Sequence, residues 1–520
     1  MPNISPDVLF GAAQVGLVIL VLVLSQGVLN FLAASKKRGP FPPGPPGRFL
    51  IGNMLDFPAQ DSGKVYEEWG KKYNSKIVHA SALGSHVFVV NDLDVADELF
   101  ERRANIYSNR PHISMVDILG WGWNTALLPY GQTWRDHRKV AQQNFNKNAA
   151  KAYQPIQVRK VRRMLQGLLD APDKSAAHNK MLSVSITMEM MCGYDVEFLD
   201  DPCIHAADKS IELGARLLIP GASLINAFPV LRHIPVWLPG ATTLRTAAET
   251  IYWSREMQRI PMEFVTKTVN EGTAIPSLLS NFLERKLADG ATPYEEDVVK
   301  SLAYTVYGAA SDTTIAATGS FLYLMALHPE VQERAQVELD ELLKGQRLPE
   351  FGDRTCLPYV EAIYREVMRC QPPLHLAMPH SASKYDSYDG YFIPEGSIVF
   401  GNVWAMTHDE SKYPDPFKFM PERFFNDIGE LNGDNRILAY GFGRRVCVGK
   451  YVASSTMWIT IASILVCFDI RKAKDEFGNE IEINGDYEDL GLIWRKKAFE
   501  SSITPRSDEI KRLIEGDASL

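Results

Sequence analysis

A single cysteine stands among three glycines and two arginines near the carboxyl-terminal end of the chain. Residues 440–449 read Tyr-Gly-Phe-Gly-Arg-Arg-Val-Cys-Val-Gly, and a long apolar stretch follows them. Glycine permits tight turns and a close approach of the backbone to a flat ligand. A cysteine at a helix start gains from the helix dipole and free N–H groups, which lower a thiol pKa, and Arg445 adds a cation. We therefore expect Cys447 to be a thiolate ligand; the alternative is a glycine-rich turn before a core helix.

The same loop resembles the haem-binding loop of the cytochrome P450 family, whose pattern is Phe-x-x-Gly-x-Arg-x-Cys-x-Gly. Gly443, Arg445, Cys447 and Gly449 match it, and Tyr440 stands where the family usually has phenylalanine. The resemblance implies that Cys447 is the axial ligand of the iron of haem b. It also implies that Arg445 contacts a haem propionate.

Residues 307–314 place small side chains, an acid and adjacent alcohols inside the longest predicted helix. The Thr313 hydroxyl is expected to bond to the Ala309 carbonyl and to open the helix there. An acid beside an alcohol can relay protons, whereas the alternative is a close-packed helix crossing. The stretch resembles the family pattern Ala/Gly-Gly-x-Asp/Glu-Thr, with Ala310 in place of glycine. By that resemblance, Asp312 and Thr313 are the catalytic pair that delivers protons during oxygen activation.

Two further motifs resemble haem-contacting positions of the family. Trp134 and Arg138 lie four residues apart on one helix face, as in the family's Trp-x-x-x-Arg, which contacts haem propionates. The alternative for this pair is an ordinary amphipathic helix with an arginine at its edge. His380 stands where relatives often place another propionate partner.

A structural network is expected from an acid and two arginines. Glu366 and Arg369 are three residues apart on one helix face, where they can pair. Most such pairs are exposed and contribute little. Their place before Cys447 resembles the family's buried network, which Arg423 of the Pro-Glu-Arg-Phe motif completes. We interpret these three residues as maintaining the fold.

The amino-terminal residues 9–34 are almost entirely apolar and, as a helix of about 39 Å, are long enough to cross a membrane. Cations follow this segment over 36–38, and none precedes it, which favours a retained anchor over a cleaved signal peptide. A stiff Pro-rich stretch comes next, over 40–47. The predicted domains are a membrane anchor at 1–35, a basic and Pro-rich hinge at 36–63, and one catalytic domain at 64–520.

Composition excludes several classes of protein. The chain of 520 residues has a mean hydropathy of -0.14, which is too low for a protein with many membrane spans. Its net charge of -8 provides no basic surface for nucleic acid. The six cysteines are too sparse for a disulfide framework, and neither CxxC nor HExxH is present to indicate zinc.

The hydrophobic pattern predicts a mainly α protein with small peripheral β-sheets, which is the fold that the resemblance implies. Helices are predicted at 66–73, 94–104, 133–145, 155–169, 295–327, 329–343, 359–370 and 449–466. Strands are predicted at 77–80, 87–90, 391–393 and 397–401, and loops at 58–63, 172–180 and 414–421. The resemblance suggests substrate-pocket residues at 112–123, Tyr307, Ala310, 374–378 and 490–493; core packing is the alternative for each.

The resemblance implies a membrane-anchored monooxygenase of the microsomal type. It would use O2 and NADPH electrons from NADPH–cytochrome P450 reductase, with cytochrome b5 as a further candidate partner. It would hydroxylate or epoxidise a hydrophobic small molecule. The residues of its motifs are similar to those of fungal (basidiomycete) enzymes of secondary metabolism and xenobiotic oxidation. The expected location is the endoplasmic reticulum membrane, single-pass, with a cytosolic catalytic domain. The alternatives are a haem-thiolate isomerase or dehydratase and a non-enzymatic haem-binding protein.

Overall fold

A computed structural model describes residues 21–22, 25–26, 39–218 and 223–517. The predicted anchor at 9–34 lies outside the described residues except for those four positions. Among the described residues, one helix, Lys450–Cys467, is long and apolar enough to cross a membrane by length and composition. Because 67% of that helix is buried inside the protein, the same composition also fits a core helix.

Helices dominate the described chain, as the sequence predicts. They often begin at the expected signals: Pro293, Pro329 and Pro358 each occupy a first helical position, and Thr292 with Glu295 forms a capping box. The α-helices are α1 Ser62–Tyr73, α2 Leu93–Ala96, α3 Ala104–Tyr107, α4 Ser114–Ile118, α5 Gln132–Phe145, α6 Gln154–Asp170, α7 Ser175–Cys192, α8 Pro202–Gly214, α9 Leu224–Ala227, α10 Thr242–Asn270, α11 Leu278–Asp289, α12 Pro293–Leu327, α13 Pro329–Leu343, α14 Pro358–Cys370, α15 Val403–Thr407, α16 Lys450–Cys467 and α17 Asp508–Asp517.

The strands form small sheets. They are β1 Ile77–Ala82, β2 Ser85–Val90, β3 His380–Ser381, β4 Asp386–Tyr388, β5 Tyr391–Ile393, β6 Ile398–Gly401, β7 Phe468–Lys472, β8 Tyr487–Asp489, β9 Trp494–Lys496 and β10 Ser501–Pro505. One sheet has the order β1-β2-β6-β3, in which only the β2–β6 pair is parallel. The pairs β4–β5, β7–β10 and β8–β9 are antiparallel.

The described chain divides into two compact units. The first falls within Met1–Pro111, Leu376–Met406 and Phe442–Arg445, and the second within His112–His375, Thr407–Gly441 and Val446–Leu520. In the first unit, the four-stranded sheet buries Val78, Val87 and Phe400 against Tyr66 of α1. In the second, α12 and α16 are central to the largest hydrophobic cluster. The single domain predicted at 64–520 stays a prediction.

Two element predictions were wrong. The helix predicted at 94–104 is interrupted, because a π-helix at Asp97–Arg102 separates α2 from α3. The loop predicted at 172–180 is a short 3₁₀ turn at Pro172–Lys174 followed directly by α7. Helix α7 is buried on every side from Leu182 to Cys192. A helix buried all round lacks the 3.6-residue alternation of polar and apolar side chains, so the pattern misses it.

Candidate active site

The cysteine loop, residues 440–449, leads into α16. A 3₁₀ turn at Gly443–Arg445 precedes Cys447, whose backbone N–H donates to the Tyr440 carbonyl at 2.8 Å. The turn needs glycine: Gly443 has φ +56°, and a Cβ there would lie 2.1 Å from the Phe100 carbonyl oxygen within the first unit. The cysteine therefore sits where the sequence predicts, immediately before a helix.

The thiol of Cys447 is exposed, yet surrounding protein desolvates it. Both observations hold for a side chain at the wall of a recess. This burial raises the pKa of Cys447 above its ordinary value and outweighs the lowering by the Gly449 backbone N–H, Arg138 and Lys450. The prediction of a lowered thiol pKa was thus wrong. The cations that lower the thiol pKa are Arg138 and Lys450, and Arg445, which the motif suggests for this role, is not among them.

Helix α5 brings Arg138 to the cysteine loop. Its Nη1 donates to the carbonyl of Val446 at 2.8 Å. Burial lowers the pKa of Arg138, and the charge of the Cys447 thiolate opposes that effect. One turn earlier, Trp134 is buried and packs against the Tyr130 ring with centroids 5.1 Å apart. The predicted helix face therefore exists, and its arginine is electrostatically coupled to the cysteine.

Helix α12 has an accessible stripe in the middle of an otherwise buried length. Ala309 is exposed and Ala310 and Thr313 are partly exposed, whereas 315–318 are buried. The Thr313 hydroxyl donates to the Ala309 carbonyl at 3.0 Å, which confirms the predicted back-bond. Helices α12 and α16 pack together, and the Thr318 hydroxyl donates to Met457 Sδ at 3.3 Å. The helix of the acid–alcohol pair therefore packs against the helix that follows Cys447.

Asp312 lies beside the hairpin formed by β8 and β9. Its Oδ1 is 3.8 Å from Arg495 Nη1, and Arg495 also donates to Glu488 at 2.7 Å. Burial raises the pKa of Asp312, Arg495 and Lys180 lower it, and Asp208 raises it. Desolvation is the largest of these effects, so the carboxyl retains its proton to a higher pH than an ordinary aspartate.

In the first unit, Arg445 and His380 belong to one electrostatic cluster. Arg445 Nε donates to the Ser108 carbonyl at 2.8 Å, and His380 Nδ1 donates to the Tyr107 carbonyl at 2.6 Å. Burial holds the pKa of His380 well below its ordinary value, and the charges of Arg110 and Arg445 add to this effect. With Nδ1 protonated, neutral His380 presents an Nε2 that accepts a hydrogen bond and donates one only when the ring is charged.

Arg110 is a further cation of this cluster that no sequence motif identifies. This arginine is buried, and its Nη1 donates to the carbonyls of Met378 at 3.0 Å and Pro379 at 2.7 Å. Burial lowers the pKa of Arg110 from 12.5 to about 10. Its only sequence signal is an arginine followed by a proline. The packing of the chain places it beside His380, which is some 270 residues away in sequence.

The predicted structural network is present in the second unit. Glu366 is fully buried and accepts from Arg369 Nε at 2.6 Å, from Arg369 Nη2 at 2.8 Å and from Arg423 Nε at 3.0 Å. Arg369 Nη1 also donates to the carbonyls of Thr407 and Pro416, each at 2.8 Å. These bonds connect the segment 407–416, which precedes the cysteine loop, to α14.

The suggested pocket residues divide between accessible and core positions. Tyr307 is only 3% exposed and contacts the Cys203 carbonyl at 3.5 Å, so its assignment to a pocket was wrong and the core alternative holds. Ala310 is partly exposed on the α12 stripe. Within 112–123, Trp121 Nε1 donates to Ser254 at 2.7 Å. Residues 490–493 form the turn between β8 and β9.

Taken separately, the side chains of each unit suit a different part of a haem. In the second unit, an exposed thiol coupled to Arg138 suits a metal that binds sulfur, because a coordinated thiol loses its proton outright. The small side chains of the α12 stripe leave room for a flat group and a small molecule. In the first unit, Arg110 and Arg445 supply cations that suit carboxylates.

Comparison with known proteins gives a consistent result. Residues 42–492 match the family model described as Cytochrome P450. The chain is 39% identical to Cytochrome P450 monooxygenase ple1 of Rhodocybe pseudopiperita, with 92% of each chain covered. It is 37% identical to Cytochrome P450 monooxygenase 98 of Postia placenta, with 96% of each covered. It is 32% identical to Tryptamine 4-monooxygenase of Psilocybe cyanescens, over 96% of this chain and 100% of that protein.

Proposed function

The chain belongs to the cytochrome P450 family, and from this premise we propose a membrane-anchored monooxygenase that hydroxylates or epoxidises a hydrophobic small molecule. It is an oxidoreductase of the P450 monooxygenase class. The family implies haem with a cysteine thiolate as axial ligand, and NADPH electrons that arrive through a reductase. Cytochrome b5 is a further proposed electron donor.

One observation carries the proposal: the exposed thiol of Cys447 precedes a helix that packs directly against the helix of Asp312 and Thr313. A monooxygenase needs both an iron–thiolate bond and a supply of protons during oxygen activation. A haem-thiolate isomerase needs the thiolate and no acid–alcohol pair. The presence of an acid–alcohol pair on the helix that packs against the one after Cys447 therefore supports the oxygenase.

The proposed roles of the side chains follow from their chemistry. When bound, haem supplies the oxidation of the substrate with O2 and electrons. Cys447 would bind the iron, and Trp134, Arg138 and Arg445 would bind its propionates. His380 would join them only as the charged ring, in which Nε2 also donates.

Asp312 would hold a proton in a desolvated site and pass it by way of Thr313, whose hydroxyl stays oriented by the Ala309 carbonyl.

The proposed substrate class rests on small and apolar side chains around the α12 stripe. Ala309 and Ala310 leave space, and Trp123 packs edge to face on Tyr304 with centroids 6.1 Å apart. Pockets lined in this way suit mainly apolar small molecules. A relative named as a tryptamine 4-monooxygenase and relatives from other basidiomycetes support a small-molecule substrate of fungal secondary metabolism or xenobiotic oxidation.

The proposed location is the endoplasmic reticulum membrane, with one span at 9–34 and a cytosolic catalytic domain. The apolar length of this segment and the cations at 36–38 support it. The test is extraction of expressed full-length chain from membranes with alkaline carbonate, beside a chain lacking residues 1–35. Retention of the first and release of the second are expected; release of both would overturn the anchor.

The test of the function starts with a carbon monoxide difference spectrum of the reduced holoprotein, beside Cys447→Ser. A strongly red-shifted Soret band that the variant lacks is expected from thiolate ligation. Its absence in folded, haem-loaded wild type would overturn the ligand assignment. Substrate panels with reductase then follow, with and without NADPH and O2. Products that require both support a monooxygenase, whereas products formed without either would establish the isomerase.

A further inference from the structure

The acid of the proton-delivering pair has a neighbour that the motif does not include. Arg495 lies on β9, and its Nη1 is 3.8 Å from Asp312 Oδ1. Asp312 and Arg495 are far apart in the sequence, and no short motif contains both of them. The contact arises because the β8–β9 hairpin lies along α12.

Arg495 also has a second and closer acidic partner. Glu488 is its direct cross-strand neighbour in the hairpin, and Arg495 Nη2 donates to Glu488 Oε2 at 2.7 Å. At 2.7 Å the contact is a charge-assisted hydrogen bond, whereas at 3.8 Å the attraction to Asp312 is mainly Coulombic. One guanidinium therefore serves two carboxylates, and its stronger bond is to the more exposed one.

The hairpin is anchored to α12 at other points, so the placement of Arg495 does not depend on Asp312. The Tyr487 hydroxyl donates to Ser320 on α12 at 3.3 Å. Lys496 Nζ lies 4.8 Å from the ring centroid of Tyr323, also on α12. These contacts hold both strands of the hairpin against the helix, about two and three turns beyond the acid.

We propose that Arg495 is a positioning residue for proton delivery, because its guanidinium is shared between Glu488 and Asp312 and this competition sets the charge state of Asp312. The inference rests on the proposed function, since it assigns a role within the monooxygenase reaction. Each proton that Asp312 gives up leaves a carboxylate, which takes its next proton from solvent. Too strong an attraction to Arg495 keeps Asp312 as the carboxylate, and too weak an attraction keeps it as the acid.

The other charged groups that act on Asp312 form a salt bridge with each other. Lys180 of α7 and Asp208 of α8 are 2.6 Å apart, and they act on the pKa of Asp312 in opposite directions. Arg495 is the largest of the charges that act on this carboxyl. Removing Arg495 is therefore expected to change the charge state of Asp312 more than removing any of the others.

Two substitutions on the hairpin are expected to act in opposite directions. Arg495→Gln removes the cation that favours the carboxylate, so the pKa of Asp312 rises. Glu488→Gln frees Arg495 to bind Asp312 fully, so the pKa of Asp312 falls. If Arg495 had only a structural role, both substitutions would shift the pKa of Asp312 in the same direction. We expect each to change the midpoint proton concentration by about tenfold.

The measurement is the infrared C=O stretch of protonated Asp312 in the holoprotein, identified by its loss in Asp312→Asn and titrated against pH. The matched control is Arg471→Gln, which breaks another arginine–glutamate bond, to Glu333 at 2.8 Å, away from the hairpin. Opposite shifts in the two hairpin variants and none in the control are expected. Shifts of the same sign, or none beyond the control, would overturn the inference.

A second readout separates this inference from the proposed function. With reductase and substrate, the fraction of NADPH electrons recovered in product is measured over pH, with peroxide as the diverted fraction. The pH optimum for coupling is expected to move up in Arg495→Gln and down in Glu488→Gln. An unmoved optimum alongside shifted infrared midpoints would overturn the role in proton delivery. Absence of product from the wild type would overturn the proposed function alone, because the infrared titration does not require turnover.

Discussion

The hydroxyl oxygens of Tyr364 and Tyr440 lie 3.0 Å apart. Tyr440 is the residue at which the cysteine loop departs from the family pattern, and its carbonyl accepts the Cys447 N–H. The additional hydroxyl therefore has a partner on α14. This part-buried hydrogen bond joins the cysteine loop to the helix that carries the Glu366 network.

Replacing Tyr440 by phenylalanine restores the usual family residue and removes this bond. We expect Tyr440→Phe to lower the free energy of unfolding by about 1 kcal/mol, because the Tyr364 hydroxyl loses one partner in a desolvated place. Haem content should be unchanged. Urea unfolding of the holoprotein measures the effect. The double variant with Tyr364→Phe should lose less than the sum of the single losses, and strict additivity would show that the two hydroxyls do not interact.

Arg369→Ala is expected to abolish haem incorporation. It leaves the fully buried carboxylate of Glu366 with a reduced set of donors, and breaking a buried pair on one side costs about 3–5 kcal/mol. Haem content per purified chain measures the outcome. The matched control is Arg334→Ala, which breaks the exposed bond of Arg334 to Glu422 and should cost about 1 kcal/mol or less. A haem-loaded Arg369→Ala protein of normal stability would contradict the structural role.

Acid should destabilise the first unit through a buried pair of histidines. His79 Nε2 and His86 Nδ1 are 3.0 Å apart, and the Phe41 ring stacks on both. Burial, with a smaller contribution from His86, lowers the pKa of His79 from 6.5 to about 3. At pH values between about 3 and 6.5, His79 is therefore protonated in the unfolded chain and neutral in the folded chain. The stability is fully present above about pH 6.5 and falls with acid towards pH 3.

The slope for this one group is about 1.4 kcal/mol per pH unit. We expect the free energy of unfolding of the wild type to fall more steeply with acid than that of His79→Gln, which has no proton to bind in either state. Denaturant titrations at a series of pH values test this. If the free energy of unfolding fell equally steeply with acid in the two proteins, the pKa of His79 would not be lowered by folding.

Thr313→Ala should impair proton delivery while leaving the fold intact. Alanine is a better helix former, so thermal stability should not fall. Product formed per NADPH should drop about tenfold or more, with electrons diverted to peroxide, because a positioned proton donor contributes about 10²–10⁴-fold. Thr313→Ser keeps the hydroxyl and should retain most of the coupling. The control is Thr314→Ala at the adjacent position. An equal loss of product per NADPH in this variant would contradict a specific role of Thr313 in proton delivery.

Much of the site follows from local sequence patterns. Glycines around Cys447, the Glu366–Arg369 spacing and the Thr313 back-bond to Ala309 each depend on residues a few positions apart, and each is present in the structure. Helices with a clear start, such as α12 and α14, which both begin at a proline, were predicted within two residues of their bounds. Local geometry and periodicity determine such features.

Other features depend on distant parts of the chain. Helix α7 was missed because burial on all sides removes its periodicity, and the π-helix at Asp97–Arg102 interrupts a helix that the pattern predicts as continuous. The thiol pKa was misjudged because a motif shows the nearby N–H groups and cations and does not show desolvation. Desolvation depends on the density of all surrounding atoms.

The sequence by itself determined the family and the acid–arginine network, and it predicted the cysteine ligand and the acid–alcohol pair, since short-range spacing and residue chemistry suffice for these. Only the tertiary structure decided that Arg110 lies beside His380, that Tyr307 is in the core, and that Arg495 is shared between Asp312 and Glu488. The reason is physical. Charge coupling and burial depend on distances in space, and folding sets those distances between residues that the chain keeps far apart.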